Sequence, residues 1–156
     1  MWIETSRFGR VDVGTEQIWT FAQGLVGFPE LKRMVLVDDR VDPRFSWLQS
    51  VDVATRAFCI VDPLLFGVAH PQPGDEPLRH SCSVRPGDVN VRLVVNCCGP
   101  RGGERTLTVN VQGPILLDTV RRLGQQRVLS EKRWSARVAL PMGPIYSGSV
   151  QGSRCA

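Results

Sequence analysis

Apolar residues in this chain recur mostly at every second position, in short runs that Gly, Pro or Asp brings to a stop. This spacing constrains the fold more than any other feature. A period of two puts successive side chains on opposite faces of a pleated strand. Val11-Asp-Val13 and Ile18-Trp-Thr-Phe21 alternate in this way. Met34-Val-Leu-Val37 is a short continuous apolar run ending in Asp38-Asp39. Phe45-Ser-Trp-Leu-Gln-Ser50 follows, then Ala57-Phe-Cys-Ile-Val61 before Asp62-Pro63. Val89 to Val95 and Thr106 to Val111 are rich in β-branched residues; Pro114 to Leu117 leads into a polar turn that Gln126 to Leu129 leaves. Short strands punctuated in this manner predict a mostly β protein: a single compact antiparallel β-barrel-like domain with little helix.

Two hairpins are predicted. Cys97 to Arg105 carries glycines that can take positive φ and a proline that fixes the turn, so the runs on either side should pair antiparallel. A second hairpin joins 114–117 to 126–129 through Asp118 to Gly124. Residues 67–79 contain three prolines and no periodicity and read as a loop, with one helical turn after it. The chain of 156 residues fits one domain with one core, here 1–140, and 141–156 read as a flexible C-terminal tail.

The charge is uneven. Residues 1–78 hold 7 Lys or Arg and 11 Asp or Glu, while 79–156 hold 12 and 4, mostly as arginine. An arginine-rich half suits carboxylate or phosphate partners. Five cysteines, an odd number with two adjacent, do not make a secreted disulfide framework. The N-terminus has no signal-peptide pattern and no apolar run is long enough to span a bilayer, so the expected location is the cytoplasm.

No set of residues forms a reaction centre. His80, Cys82, Cys97 and Cys98 are possible zinc ligands, but adjacent cysteines in a strand point to opposite faces. His70 and His80 have no nucleophile elbow to serve, and Gly99 to Gly103 lacks the lysine of a phosphate-binding loop. Asp38, Asp39 and Asp42 cluster beside Pro43 as a solvated turn would. Neither catalytic residues, metal ligands nor cofactor sites are assigned. Small β-barrels bind single-stranded RNA through aromatics interleaved with basic residues. Here the aromatics fall mainly in the acidic half, and Trp134 between Arg133 and Arg137 is the one local pairing. An RNA-binding barrel using the arginine-rich half is therefore the alternative, and direct nucleic-acid binding is not expected. Protein binding remains. Phe45 and Trp47 share a strand face, where they either fill the core or anchor a partner.

The order of several blocks resembles the bacterial flagellar assembly factor family, FliW. The blocks are Thr5-x-x-Phe8-Gly9, Phe21-x-x-Gly24-Leu25-x-Gly27-Phe28 and Phe45-x-Trp47-Leu48-Gln49-Ser50, then Ala57-Phe58 with Asp62-Pro63. Val109-Asn110-x-x-Gly113-Pro114-Ile115, Gly124-x-Gln126 and Trp134-x-x-Arg137-x-x-Leu140 complete the series. The resemblance implies a β-barrel-like fold and a non-enzymatic role: binding and protecting newly made flagellin in the cytoplasm, and sequestering the translational repressor CsrA once flagellin is exported. The chain departs from the family pattern at Gly113 (commonly Ala), Asp118 (commonly Asn) and Trp134 (Tyr), and no Pro-Asp-Tyr element follows Asp62-Pro63. The expected partner-binding residues are Phe45, Trp47 and Gln49, which share a face, with Asn110 and Gln126 as polar positions from other blocks. No membrane partner is expected.

Overall fold

A computed structural model describes residues 1–79, 85–99 and 106–142. Within them the chain forms β1 (Trp2–Thr5), β2 (Gly9–Asp12), β3 (Trp19–Thr20), β4 (Arg33–Asp38), β5 (Phe45–Ser50), β6 (Ala57–Val61), α1 (Glu76–Arg79), β7 (Val89–Cys98), β8 (Thr106–Val109), β9 (Ile115–Asp118), β10 (Leu123–Gln126) and β11 (Val138–Ala139). The protein is mostly β, as the alternation predicts, and α1 is a single helical turn.

The strands from β3 to β7 and the pair β9–β10 close into a ring of seven, in the order β7-β6-β5-β4-β3-β10-β9, with β9 returning to β7. Every neighbour in the ring is antiparallel except β3 and β10. The long strand β7 makes closure possible. Its first half, Val89 to Arg92, pairs with β9, and its second half, Val95 to Cys98, pairs with β8. β8 and β11 thus extend the sheet beyond the ring.

Alternation divides the apolar residues between two faces. Trp19, Met34, Leu48, Ile60, Ile115 and Leu117, from five of the ring strands, fill the interior with Phe21, which follows β3. The residues between them point outward and are still buried. Ile3 and Val13 of the N-terminal hairpin cover Val35. Phe66, Val68, Leu78, Leu129 and Leu140 cover Phe45, Val61, Val91, Leu93 and Leu116. The ring therefore has a core on each side of its wall, which is why the strands carry apolar runs as well as alternation.

Local chemistry sets the turns. In the β1–β2 hairpin, Thr5 Oγ1 accepts the Phe8 amide at 2.9 Å and donates to the Gly9 carbonyl at 2.8 Å. Gly9 takes φ +70°, where a side chain would be strained. After β6, Asp62 accepts the Leu64 amide at 3.0 Å and Pro63 opens a short 3-10 turn, Pro63–Phe66. That turn sets Phe66 edge-on to Phe45 at 5.6 Å between ring centroids.

Both predicted hairpins exist, with differences. β7 and β8 pair antiparallel, Cys98 opposite Thr106. β9 pairs antiparallel with β10, which spans Leu123–Gln126 rather than 126–129. The apolar Leu129 that suggested a strand there is buried in the outer core instead, and Val128 is exposed. The Asp38–Asp42 turn is exposed at Asp38, Arg40 and Val41, as expected, but two of its carboxylates are engaged. Asp39 accepts the Val41 and Asp42 amides, both at 3.0 Å, and Asp42, 5% exposed, accepts the guanidinium of Arg44 at 2.9 Å. The expected tail lies outside the described residues from 143 onward, as do His80 and Cys82.

Candidate partner-binding site

Phe45, Trp47 and Gln49 share the outward face of β5, as expected, and all three are covered. Phe45 lies under Phe66. Trp47, 4% exposed, lies under the N-terminal hairpin. The Arg7 guanidinium sits 3.8 Å above its ring, and Phe8 meets it edge-on at 6.2 Å. Its indole N–H donates to Asp39 at 3.0 Å. Burial works to raise the Asp39 carboxyl. Hydrogen bonds from the Asp42 amide, the Trp47 indole and the Val41 amide, with the charge of Arg7, outweigh it and hold the group below its ordinary value.

Gln49 is fully buried and holds the β5–β6 turn from inside. Its Nε2 donates to the Ser50 carbonyl at 2.9 Å and the Arg56 carbonyl at 3.1 Å. Ser50 Oγ accepts the Val53 amide at 3.0 Å from the same turn. The turn in turn holds the N-terminal hairpin, since the Ala54 carbonyl accepts the Ser6 amide at 3.0 Å. The Trp-Leu-Gln-Ser block thus builds a surface of two joined loops, 6–8 and 51–56. Arg7, half-buried Phe8 and Arg56 lie on it, the last stacked 5.1 Å over Phe28.

Asn110 and Gln126 converge on Gly113. Asn110 Oδ1 accepts the Gly113 amide at 2.9 Å, and Gln126 Nε2 donates to the Gly113 carbonyl at 3.0 Å. Gln126 Oε1 also accepts the Val26 amide at 2.9 Å. One side chain therefore ties together three separate blocks: 21–28, 109–115 and 124–126. The two groups of expected site residues lie on different strands of the ring: β6 and β7 stand between β5 and β8, which Asn110 follows, and β4 and β3 stand between β5 and β10, which holds Gln126.

The glycines of the blocks explain themselves by space. A Cβ on Gly124 would lie 2.2 Å from Phe21 Cζ in the barrel interior. Gly24 combines φ +66° with the Phe28 carbonyl 2.4 Å from where a Cβ would stand. A Cβ on Gly113 would meet only side-chain ends, Gln126 Nε2 at 3.0 Å and Asn110 Nδ2 at 3.1 Å.

Arginines stack on aromatics at several places, but of these stacks only Arg122 over Trp19 brings an arginine of the basic half onto an aromatic of the acidic half. Besides Arg7 and Arg56, Arg122 lies 4.7 Å over Trp19, Arg44 4.8 Å over Phe66, Arg133 4.5 Å over Trp134 and Arg10 4.9 Å over Trp2. Trp19 and Phe66 are buried, so their stacks seal the core. Among the described residues no three His, Cys, Asp or Glu side chains form a group able to hold a metal ion, and no helix is long and apolar enough to cross a membrane.

Residues 2–140 match the FliW protein family. The chain belongs to that family. It is 32% identical over 138 residues to the flagellar assembly factor FliW of Moorella thermoacetica, covering 88% of this chain and 86% of that protein. It is likewise 32% identical over 136 residues to FliW of Leptospira biflexa, covering 86% and 88%. A crystal structure of flagellar assembly factor FliW shares the fold, with a TM-score of 0.75 and 24% identity over 91% of this chain and 98% of that one.

Proposed function

We propose that this protein is a non-enzymatic, cytoplasmic flagellar assembly factor. It binds and shields unassembled flagellin and, when flagellin leaves, sequesters the repressor CsrA. The match to the FliW family across residues 2–140 carries this reading. The structure supports a binding module, because the family blocks build a rigid closed wall and leave joined loops on its outside. The five expected residues keep a place in this proposal. Trp47 and Gln49 act from beneath, by fixing the surface of loops 6–8 and 51–56, and Phe45 acts by holding the 63–66 turn. Asn110 and Gln126 fix the 110–114 segment against loop 24–28.

Flagellin's amphipathic terminal segments offer an apolar face, and a rigid β surface covers such a face with a few anchors. Calorimetric titration of the purified chain with flagellin and with CsrA tests the reading. The expected result is saturable binding of each, with prior loading of flagellin lowering the binding of CsrA. Failure of both to bind would overturn it. An RNA complex with sequence preference that survives physiological salt would instead favour the nucleic-acid alternative.

A further inference from the structure

The ring of strands is closed unevenly. β9 and β10 pair over four positions, but β3 and β10 meet in parallel at one, Leu123 with Thr20. Beyond that pair the two segments part. Ala22, Gln23 and Gly24 form one wall of a cleft, and Leu123 to Arg127 form the other. Its volume is about 420 Å³, and buried Val89 and Leu116 make the floor.

The main chain of β10 faces two ways. The Arg127 amide donates to the Pro114 carbonyl at 2.9 Å, on the β9 side. The Arg122 carbonyl accepts the Thr20 amide at 2.9 Å, on the β3 side. Strand alternation then turns the amide and carbonyl of Gln126 toward the cleft, past the point where β3 has ended. Leu123, 42% exposed, stands at its mouth.

The rim is basic. Arg121 and Arg127 line it, and Lys32 Nζ donates to the carbonyl of Ala22 at 2.7 Å. The one carboxylate in the lining, Asp118, is already bound by the Arg121 amide and guanidinium. Arg127 is exposed, and no ion pair engages it among the described residues.

We propose that this cleft takes an extended acidic segment of a partner protein. The segment adds as a strand beside β10 on the side that the Gln126 main chain faces, sets an apolar side chain on Leu123 and brings its carboxylates to Arg127. Main-chain pairing would supply affinity, and the basic rim the preference for charge. This site is separate from the loops over β5 and does not depend on which protein supplies the segment.

The test is an amide NMR titration with a synthetic octapeptide of alternating valine and glutamate, beside its valine–lysine counterpart. The expected result is saturable shifts confined to residues 20–24 and 122–127 for the acidic peptide, fading as salt rises, and none for the basic one. Arg127→Glu should weaken binding about fivefold or more, the scale of one exposed ion pair turned repulsive. Arg127→Gln should weaken it less, and it serves if the reversal disturbs folding. No saturation at millimolar peptide, equal binding of the basic peptide, or shifts elsewhere would overturn the proposal. So would binding indifferent to both Arg127 variants, or the same shifts produced by concentrating the protein alone, which would make the occupant a second copy.

Discussion

Trp47 shows what a single residue does here. Its ring is clamped between β5 and the N-terminal hairpin, and its N–H holds the Asp39 turn. Replacing it with alanine should lower stability by about 3–5 kcal/mol, the usual cost of emptying a buried aromatic site. Trp47→Phe keeps most of the volume but loses the donor to Asp39, and should cost about 1–3 kcal/mol. Denaturant unfolding of both variants checks the order. If Trp47→Ala melts like the parent, the residue does not hold the structure as described. Gly124 and Gly113 make a second pair. Gly124→Ala forces a methyl group into the Phe21 ring and should cost about 1–3 kcal/mol or more. Gly113→Ala needs only small movements of Asn110 and Gln126, and should stay within about 1 kcal/mol of the parent. Parallel thermal melts separate the two.

At the scale of elements, the β9–β10 turn is held by one carboxylate. Asp118 accepts the Arg121 amide at 2.9 Å and the Val120 amide at 3.0 Å, and its other oxygen takes the Arg121 guanidinium at 2.7 Å. The Arg121 amide bond is the largest influence; burial opposes it, and the remaining bonds and charge join in holding the carboxyl below its ordinary value. Asp39, Asp42 and Asp52 are lowered too. A depressed carboxyl contributes stability that is present above its unfolded value and lost as pH falls through its folded value. Stability should therefore hold from neutral pH to about pH 5 and fall below about pH 4, near the ordinary aspartate value. Asp118→Asn should make the acid loss shallower, because the amide oxygen can still cap the turn but no longer titrates. Urea midpoints at stepped pH measure this; an unchanged acid slope would show that Asp118 takes no part. Arg122 marks the same turn with φ +55°, and its stack on Trp19 fastens the turn to the barrel.

For the whole molecule, the two-sided wall predicts unequal consequences for inner and outer cavities. Leu48→Ala opens the barrel interior and should cost about 3–5 kcal/mol with global loss of amide protection. Ile3→Ala loosens the hairpin over Val35 and should cost about 2 kcal/mol, the low end for such changes, with exchange raised mainly in β1 and β2. Native-state hydrogen exchange distinguishes these outcomes. Equal, global effects would mean that hairpin and barrel unfold as one unit.

Much of this protein is determined by its sequence taken alone. Period-two apolar runs can bury their side chains only as strands, so β5 and β6 are delimited by Phe45, Ser50, Ala57 and Val61 in the sequence and in the fold. Gly, Pro and Asp mark their ends because those residues act locally, through φ and short hydrogen bonds. Tertiary structure decided what local pattern cannot carry. Alternation says that Phe45, Trp47 and Gln49 share a face, but whether that face meets water depends on distant segments: Phe66, Arg7 with Phe8, and the 51–56 turn. β10 has no apolar alternation of its own; Gly124 fits there because Phe21 needs the space. The seam between β3 and β10 exists only once the ring closes, since closure brings residues about a hundred positions apart to one edge, and no short-range pattern records such a meeting.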